Sequence, residues 1–242
     1  MVKMIVHGCA GRLGSLICES AKQEEGFSVA AGVDNRNLPN DCNFPIFQEI
    51  SDCRDIDVDI IIDCSTAAAV DAAVDFALKK NIPIVICTTA ISETTLENIK
   101  AAAEKIPVFV SANMSLGVYV LSQLVKNAAK SLGNHNFDIK IIEAHHKNKI
   151  DAPSGTALAL ADAMGLSENS EIYSIRAGTI VGNHKVVFAG NNEIIEISHQ
   201  ALSREVFAQG ALRAARFLDS CKKNPGIYGM QDMLSAAENS KT

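Results

Sequence analysis

The sequence has no Cys-x-x-Cys pair, and none of its 7 cysteines shares a zinc-finger spacing with a histidine. Dithiol redox chemistry and a structural metal are therefore not expected. It also lacks any apolar run approaching the length of a membrane span, which leaves no segment to cross a bilayer as a helix. A basic excess is missing too: 22 Lys and Arg stand against 28 Asp and Glu, for a net charge of -6. That is the wrong sign for a surface that binds nucleic-acid phosphates. No internal repeat or low-complexity stretch interrupts the chain, so it should fold throughout. Residues 1–6 are too short, and too quickly followed by glycines, to form a signal peptide. The cysteines (Cys9, Cys18, Cys42, Cys53, Cys64, Cys87 and Cys221) are scattered and often sit in apolar runs such as Ile84-Val85-Ile86-Cys87. Reduced, buried thiols and a cytoplasmic location are the expectation.

What is present is an ordinary globular balance over 242 residues, 48% hydrophobic and 21% charged, enough for one large domain or two modest ones. Residues 3–7 form a short β-branched run, Gly8-Cys9-Ala10-Gly11-Arg12-Leu13-Gly14 a turn, 15–22 a helix and 27–33 a second strand. Further strands are expected at 58–63, 83–87 and 108–110, with helices at 67–80 and 93–105. Continuous apolar strands alternating with helices predict a parallel sheet covered on both faces.

After Asn113 the pattern changes. A helix at about 118–130 leads to 137–143, whose alternation suits a sheet with one wet face. Residues 186–188 and 193–198, separated by Gly190-Asn191-Asn192, read as a hairpin. Helix 207–218 should return to the first domain. The expected division is a discontinuous dinucleotide-binding domain, 1–114 with 205–242, around a smaller α+β domain at 115–204. The fold class is α/β, a Rossmann-type parallel sheet plus that second domain.

Gly8, Gly11 and Gly14 give a G-x-x-G-x-x-G variant of the dinucleotide fingerprint, set between strand and helix as the motif requires. Glycine lets the main chain approach a pyrophosphate, whose charge is held at the helix start. Arg12 could add a phosphate contact. Asp34, about twenty residues beyond, ends the second strand where a carboxylate accepts hydrogen bonds from the adenosine ribose. Its charge repels a 2′-phosphate while Asn35 and Arg36 soften that repulsion, so NADH is slightly favoured and NADPH stays open. Thr88-Thr89-Ala90 and Ser111-Ala112-Asn113-Met114 follow strands, at the end of the sheet where ligands sit.

The densest chemistry lies in Glu143-Ala144-His145-His146-Lys147-Asn148-Lys149-Ile150-Asp151-Ala152-Pro153-Ser154-Gly155-Thr156-Ala157. A strand end, a cationic loop and a helix N-terminus in succession suit a small dicarboxylate. Imidazole titrates near neutrality, and a Lys among cations loses its proton more readily, so the segment also suits proton transfer. Adjacent histidines diverge, and no metal is expected there.

This string, with the glycine turn upstream and Arg176-Ala177-Gly178-x-Ile180-Val181-Gly182-x-His184 downstream, resembles the 4-hydroxy-tetrahydrodipicolinate reductase (dihydrodipicolinate reductase) family over nearly the full chain. The resemblance implies hydride delivery from NADH or NADPH to an unsaturated cyclic imine dicarboxylate, with loss of water, in diaminopimelate and lysine synthesis. It implies His145 as catalytic acid/base, Lys149 as proton donor, and His146, Gly155 and Thr156 as holders of the substrate carboxylates. Cofactor contacts fall on Gly8, Cys9, Ala10, Gly11, Arg12, Leu13, Asp34, Cys87, Thr88, Thr89, Ser111, Ala112, Asn113 and Met114. A homotetramer, paired through the 115–204 domain, is implied as well. The chain departs from the family at Cys87, where glycine is common, at Asn35, where arginine often meets a 2′-phosphate, and in a shortened 165–175 segment. The rivals are another two-domain dehydrogenase, which fold alone does not separate, and an NAD(H)-sensing regulator, which would leave His145, His146 and Lys149 no reason to cluster.

Overall fold

The computed structural model describes residues 1–36, 42–133, 135–166, 171–221 and 224–239. The chain divides into two compact units, 1–114 with 205–242, and 115–204.

The first unit is built on seven strands in the order β11-β6-β5-β4-β1-β2-β3. They are β1 (Val2–His7), β2 (Phe27–Val33), β3 (Ile46–Phe47), β4 (Ile60–Asp63), β5 (Ile84–Ile86), β6 (Pro107–Val110) and β11 (Gly226–Tyr228). Every pairing in the sheet is parallel. Such a sheet must be covered on both faces, and the strands show it. Ile5, Ile61, Ile84 and Val108 pack with helices α2 (Val70–Lys80) and α3 (Glu93–Ala103). The alternate set, Met4, Val6, Ile60, Ile62, Val85 and Phe109, is also fully buried. On that side lie α1 (Arg12–Gln23) and α6 (Glu205–Ser220), which pack on each other; α6 also contacts β4, β5 and β6. Phe217 of α6 meets Phe109 edge to face. Small residues Ala208, Ala211, Ala214 and Ala215 let α6 lie close, and at Gly210 a Cβ would stand 1.8 Å from the Met114 carbonyl oxygen. Helix α7 (Met230–Asn239) packs on β11 and α6.

The chain runs outward from β1 through β2 to β3, then returns to β4 and runs the other way to β6. The strand order thus reverses between β1 and β4, and in open α/β sheets the crevice beyond the carboxyl ends at such a reversal is where ligands bind.

The second unit has a four-stranded sheet, β10-β9-β7-β8, made of β7 (Asp138–His145), β8 (Ile172–Arg176), β9 (Gly182–Ala189) and β10 (Ile194–Ala201). β9 runs antiparallel to β7 and β10, while β8 pairs parallel to β7. Helices α4 (Leu116–Leu132) and α5 (Gly155–Ala163) cover one face. Ile139, Ile141, Val186, Phe188 and Ile197 meet Leu121, Val125 and Leu160 there.

The expected helix at 67–80 is a 3-10 turn, Ala67–Ala69, continued by α2. Strands β3, β8 and β11 and helix α7 have no counterpart among the elements expected from sequence. Part of the shortened 165–175 segment, 167–170, lies outside the described residues.

Candidate active site

At the carboxyl end of the first sheet, Gly8 closes the turn after β1 with φ +85, a conformation side chains resist, and a Cβ there would stand 2.6 Å from the Cys64 carbonyl oxygen. A Cβ at Gly14 would come within 2.1 Å of the Gly8 carbonyl oxygen, so glycine is what lets α1 begin against the strand. Helix α1 starts at Arg12 with Gly11 before it, no side-chain cap and no acid in its first turn. Its N-terminal N–H groups and Arg12 therefore present positive charge to the crevice.

A cavity of about 630 Å³ opens over this turn, walled by Gly8, Gly11, Arg12, Leu13, Asp34, Cys87, Thr88 and Thr89 among others. A backbone cradle that side chains would fill, with a helix start beside it, fits a dinucleotide pyrophosphate. Of the remaining residues anticipated there, Cys9 is buried in the turn, and Ala10 donates its N–H to Asp34. Ser111, Ala112, Asn113 and Met114 follow β6 and are not among the cavity's walls.

Asp34 is buried and already occupied. Its Oδ2 accepts from Ala10 N and Arg36 Nη2, each at 2.9 Å, and its Oδ1 from Arg36 N at 3.0 Å and Nε at 2.9 Å. Burial would raise its pKa, but the Arg36 and Ala10 hydrogen bonds outweigh it and hold the carboxyl below the usual range. Asp34 thus binds the glycine turn to the end of β2. Residues that no motif singled out, His7, Cys64, Ser65 and Thr66, also line the cavity.

In the second unit, the positions that face the helices turn from apolar to polar along the sheet. On β7 the sequence is Ile139, Ile141, Glu143, His145; on β9, opposite, it is Phe188, Val186, His184. Glu143 pairs with His184 and Ser174, and His145 with Arg176. The result is a buried polar cluster continuing the core.

Glu143 is its hub. It is fully buried and accepts from Arg176 Nη1 at 2.9 Å, Arg176 Nη2 at 2.7 Å and the Ser154 N–H at 3.2 Å. His145 Nδ1 lies 2.5 Å from Glu143 Oε2. Burial opposes its charge, yet hydrogen bonds from Arg176, Ser174 and His145 hold its pKa at about 2. His145 is buried and its pKa is lowered, first by that burial and further by Lys149 and Arg176 against the pull of Glu143. With Nδ1 turned to Glu143, its second nitrogen, Nε2, faces Gly182, where a Cβ would stand 3.2 Å away. The His184 ring packs edge to face on His145 at 5.2 Å, and its Nε2 lies 3.3 Å from Ser154 Oγ.

Lys149 is half-buried in the loop after β7, its Nζ 2.8 Å from Asp151 Oδ1. The same loop holds half-buried His146, whose carbonyl accepts the Lys149 N–H. Ser154 caps α5 by accepting the Ala157 N–H. Gly155 is exposed with nothing near its Cβ position, and Thr156 is half-buried in the same first turn. Glu143, Ser154, Arg176 and His184 had no role assigned from sequence. For Glu143 and His184 the signal is the period-two alternation, which places a charge or imidazole where the next core residue belongs.

Comparison with known proteins bears on both units. The family description "Dihydrodipicolinate reductase, N-terminus" matches residues 2–114, and "Dihydrodipicolinate reductase, C-terminus" matches 117–234. A 4-hydroxy-tetrahydrodipicolinate reductase of Caldanaerobacter subterraneus subsp. tengcongensis is 45% identical over 254 residues, covering 97% of this chain and 98% of its own. One from Clostridium novyi is 39% identical, with coverage of 98% and 99%. A solved structure described as dipicolinate-bound dihydrodipicolinate reductase from Paenisporosarcina sp. TG-14 superimposes with a TM-score of 0.78 at 22% identity, covering 95% of this chain and 97% of that one.

Proposed function

Since this chain belongs to the dihydrodipicolinate reductase family, we propose that its glycine turn holds the nicotinamide cofactor and its histidine–lysine loop works on the substrate. The chain is an oxidoreductase, reducing 4-hydroxy-tetrahydrodipicolinate to tetrahydrodipicolinate with NAD(P)H in diaminopimelate and lysine biosynthesis. The cofactor, when bound, supplies the hydride.

His145 is the acid/base and Lys149 the proton donor. The observation that carries this is the Glu143 contact to His145 Nδ1, which fixes the ring and leaves Nε2 as its working nitrogen. Buried and with a lowered pKa, His145 is neutral near pH 7, so Nε2 carries a free lone pair able to take a proton. Lys149, steadied by Asp151, carries the proton to be given.

Substrate carboxylates rest on His146 and on the first turn of α5 at Gly155 and Thr156, where the helix dipole presents positive charge. The Paenisporosarcina protein is described with dipicolinate bound, and a planar dicarboxylate is the ligand class we assign here.

Cofactor contacts run through Gly8, Cys9, Ala10, Gly11, Arg12, Leu13, Asp34, Cys87, Thr88 and Thr89, and through Ser111, Ala112, Asn113 and Met114 after β6. NADH is slightly favoured, because the Asp34 carboxylate repels a 2′-phosphate. Arg36 keeps NADPH usable. We assign a cytoplasmic homotetramer; its assembly is supported by the apolar side chains Tyr173, Ile175 and Ile194 exposed on the second sheet's face away from its helices.

The test is to generate the cyclic imine in a coupled assay and follow oxidation of reduced nicotinamide. Lys149→Ala and His145→Ala should each lower kcat by about 10²–10⁴-fold with cofactor Kd nearly intact. Near-normal turnover in both would remove the assignment.

A further inference from the structure

One buried histidine–aspartate contact has no task in this mechanism. His7 ends β1, Asp63 ends β4, and the two residues stand in register in adjacent parallel strands, at the reversal of strand order. His7 Nδ1 lies 2.8 Å from Asp63 Oδ1. Asp63 is 0% exposed and also accepts from Ser65 Oγ at 2.6 Å and Thr88 Oγ1 at 2.5 Å. One carboxylate therefore ties together the ends of β1, β4 and β5. Two of its partners are hydroxyls, which carry no charge, and a buried carboxylate is stable chiefly when a cation balances it. His7 is the partner able to do so. Nδ1 has no partner of hydrogen-bond geometry, so its contact with Asp63 is one of charge, made when the ring is protonated.

His7 also lines the cavity over the glycine turn, with a side chain 10% exposed. With Nδ1 turned to Asp63, Nε2 is the polar ring atom left for a ligand. A pyrophosphate bound there needs positive charge in a chain of net charge -6. Of the two arginines on that wall, Arg36 already shares its charge with Asp34, whereas Arg12 does not.

We propose that His7 is a binding residue for the dinucleotide: held by Asp63, its imidazolium donates Nε2–H to the pyrophosphate, so that cofactor binding takes up a proton from solvent. No bond in the dinucleotide breaks; the proton moves from buffer to the ring. The proposal rests on reading this cavity as the cofactor site. The groups facing His7 are Asp63 and Cys64 from the end of β4, Cys87 after β5, Asp34 and Arg36 after β2, Arg12 of α1, and Glu49. Burial pushes the Cys64 and Cys87 thiols up, so both stay protonated near neutrality. Imidazole is the one side-chain type in this set that ordinarily changes charge there.

The test is calorimetric titration of the whole protein with NADH near neutral pH in two buffers of different ionisation enthalpy. Wild type should take up a fraction of a proton, up to one. His7→Gln should take up none and bind about tenfold more weakly, as expected for losing one charge-assisted hydrogen bond. Should that variant fold poorly, the ring carbon resonances of the wild-type histidines read the same event, one of them moving toward the imidazolium position when NADH is added. Binding without proton uptake, uptake that persists in His7→Gln, or no histidine resonance moving would overturn the proposal while leaving the cavity as the cofactor site. No NADH binding by wild type would overturn both.

Discussion

Asp34 accepts hydrogen bonds from Ala10 N and from Arg36 N, Nε and Nη2, about as many as a carboxylate has lone pairs to offer. A ribose hydroxyl can join only by displacing one of them. The guanidinium, more than half exposed, is the member free to swing away. Swung outward, it would uncover Asp34 for an unmodified ribose or itself meet a 2′-phosphate. Two expectations follow for fluorescence titrations with each cofactor. Arg36→Ala should raise the Kd of NADPH about tenfold and that of NADH less. Asp34→Ala should weaken NADH more than NADPH; the reverse ranking would dismiss the ribose role.

Strand β7 shows how an element can serve as core along one half and as reactive surface along the other. Its fate depends on Arg176, which lies beside Glu143 only because β8 runs parallel to β7 in that register. Arg176→Ala would leave the buried Glu143 carboxylate without its forked partner. It should cost about 3 kcal/mol in urea unfolding, the usual penalty for stripping a buried ion of its counterion. A loss under half of that would mean solvent reaches Glu143.

The same strand marks the limit of what sequence alone reveals. Apolar runs such as Ile60–Asp63 and 186–188 announce themselves, and the loop from His145 to Thr156 stands out by composition. β3 and β11, of two and three residues, are too short to carry a period. β8 lies at a sheet edge with three of its five residues exposed and its apolar residues divided between both faces, so no inside-outside alternation marks it. The partnership of Glu143 with Arg176, 33 positions apart, is a product of strand register, which no local pattern encodes.

For the molecule as a whole, the buried polar cluster sets the acid side of stability. Burial, with His145 nearby, brings His184 from an ordinary 6.5 down to about 4. Unfolded chains bind that proton below 6.5 and the fold resists it until about 4, so stability declines as pH falls through this window. Glu143, held at about 2 against an ordinary 4.5, extends the decline from 4.5 to about 2, because its hydrogen bonds are lost on protonation. Thermal denaturation should therefore show Tm falling from below pH 6.5. His184→Asn should flatten the upper part of that slope and spare the lower. A Tm constant between 6.5 and 4 would contradict the burial of His184.

The interruption of the first unit by the second also governs how the chain comes into being. The inner unit is one continuous stretch, 115–204, whereas the outer one takes α6 and β11 from the stretch after it. A ribosome adding residues in order completes the insert before its host. Until the last stretch emerges, Val85 and Phe109 have no α6 to shield them, and β6 has a bare edge. The nascent chain is most exposed to aggregation, and to chaperone capture, in that interval.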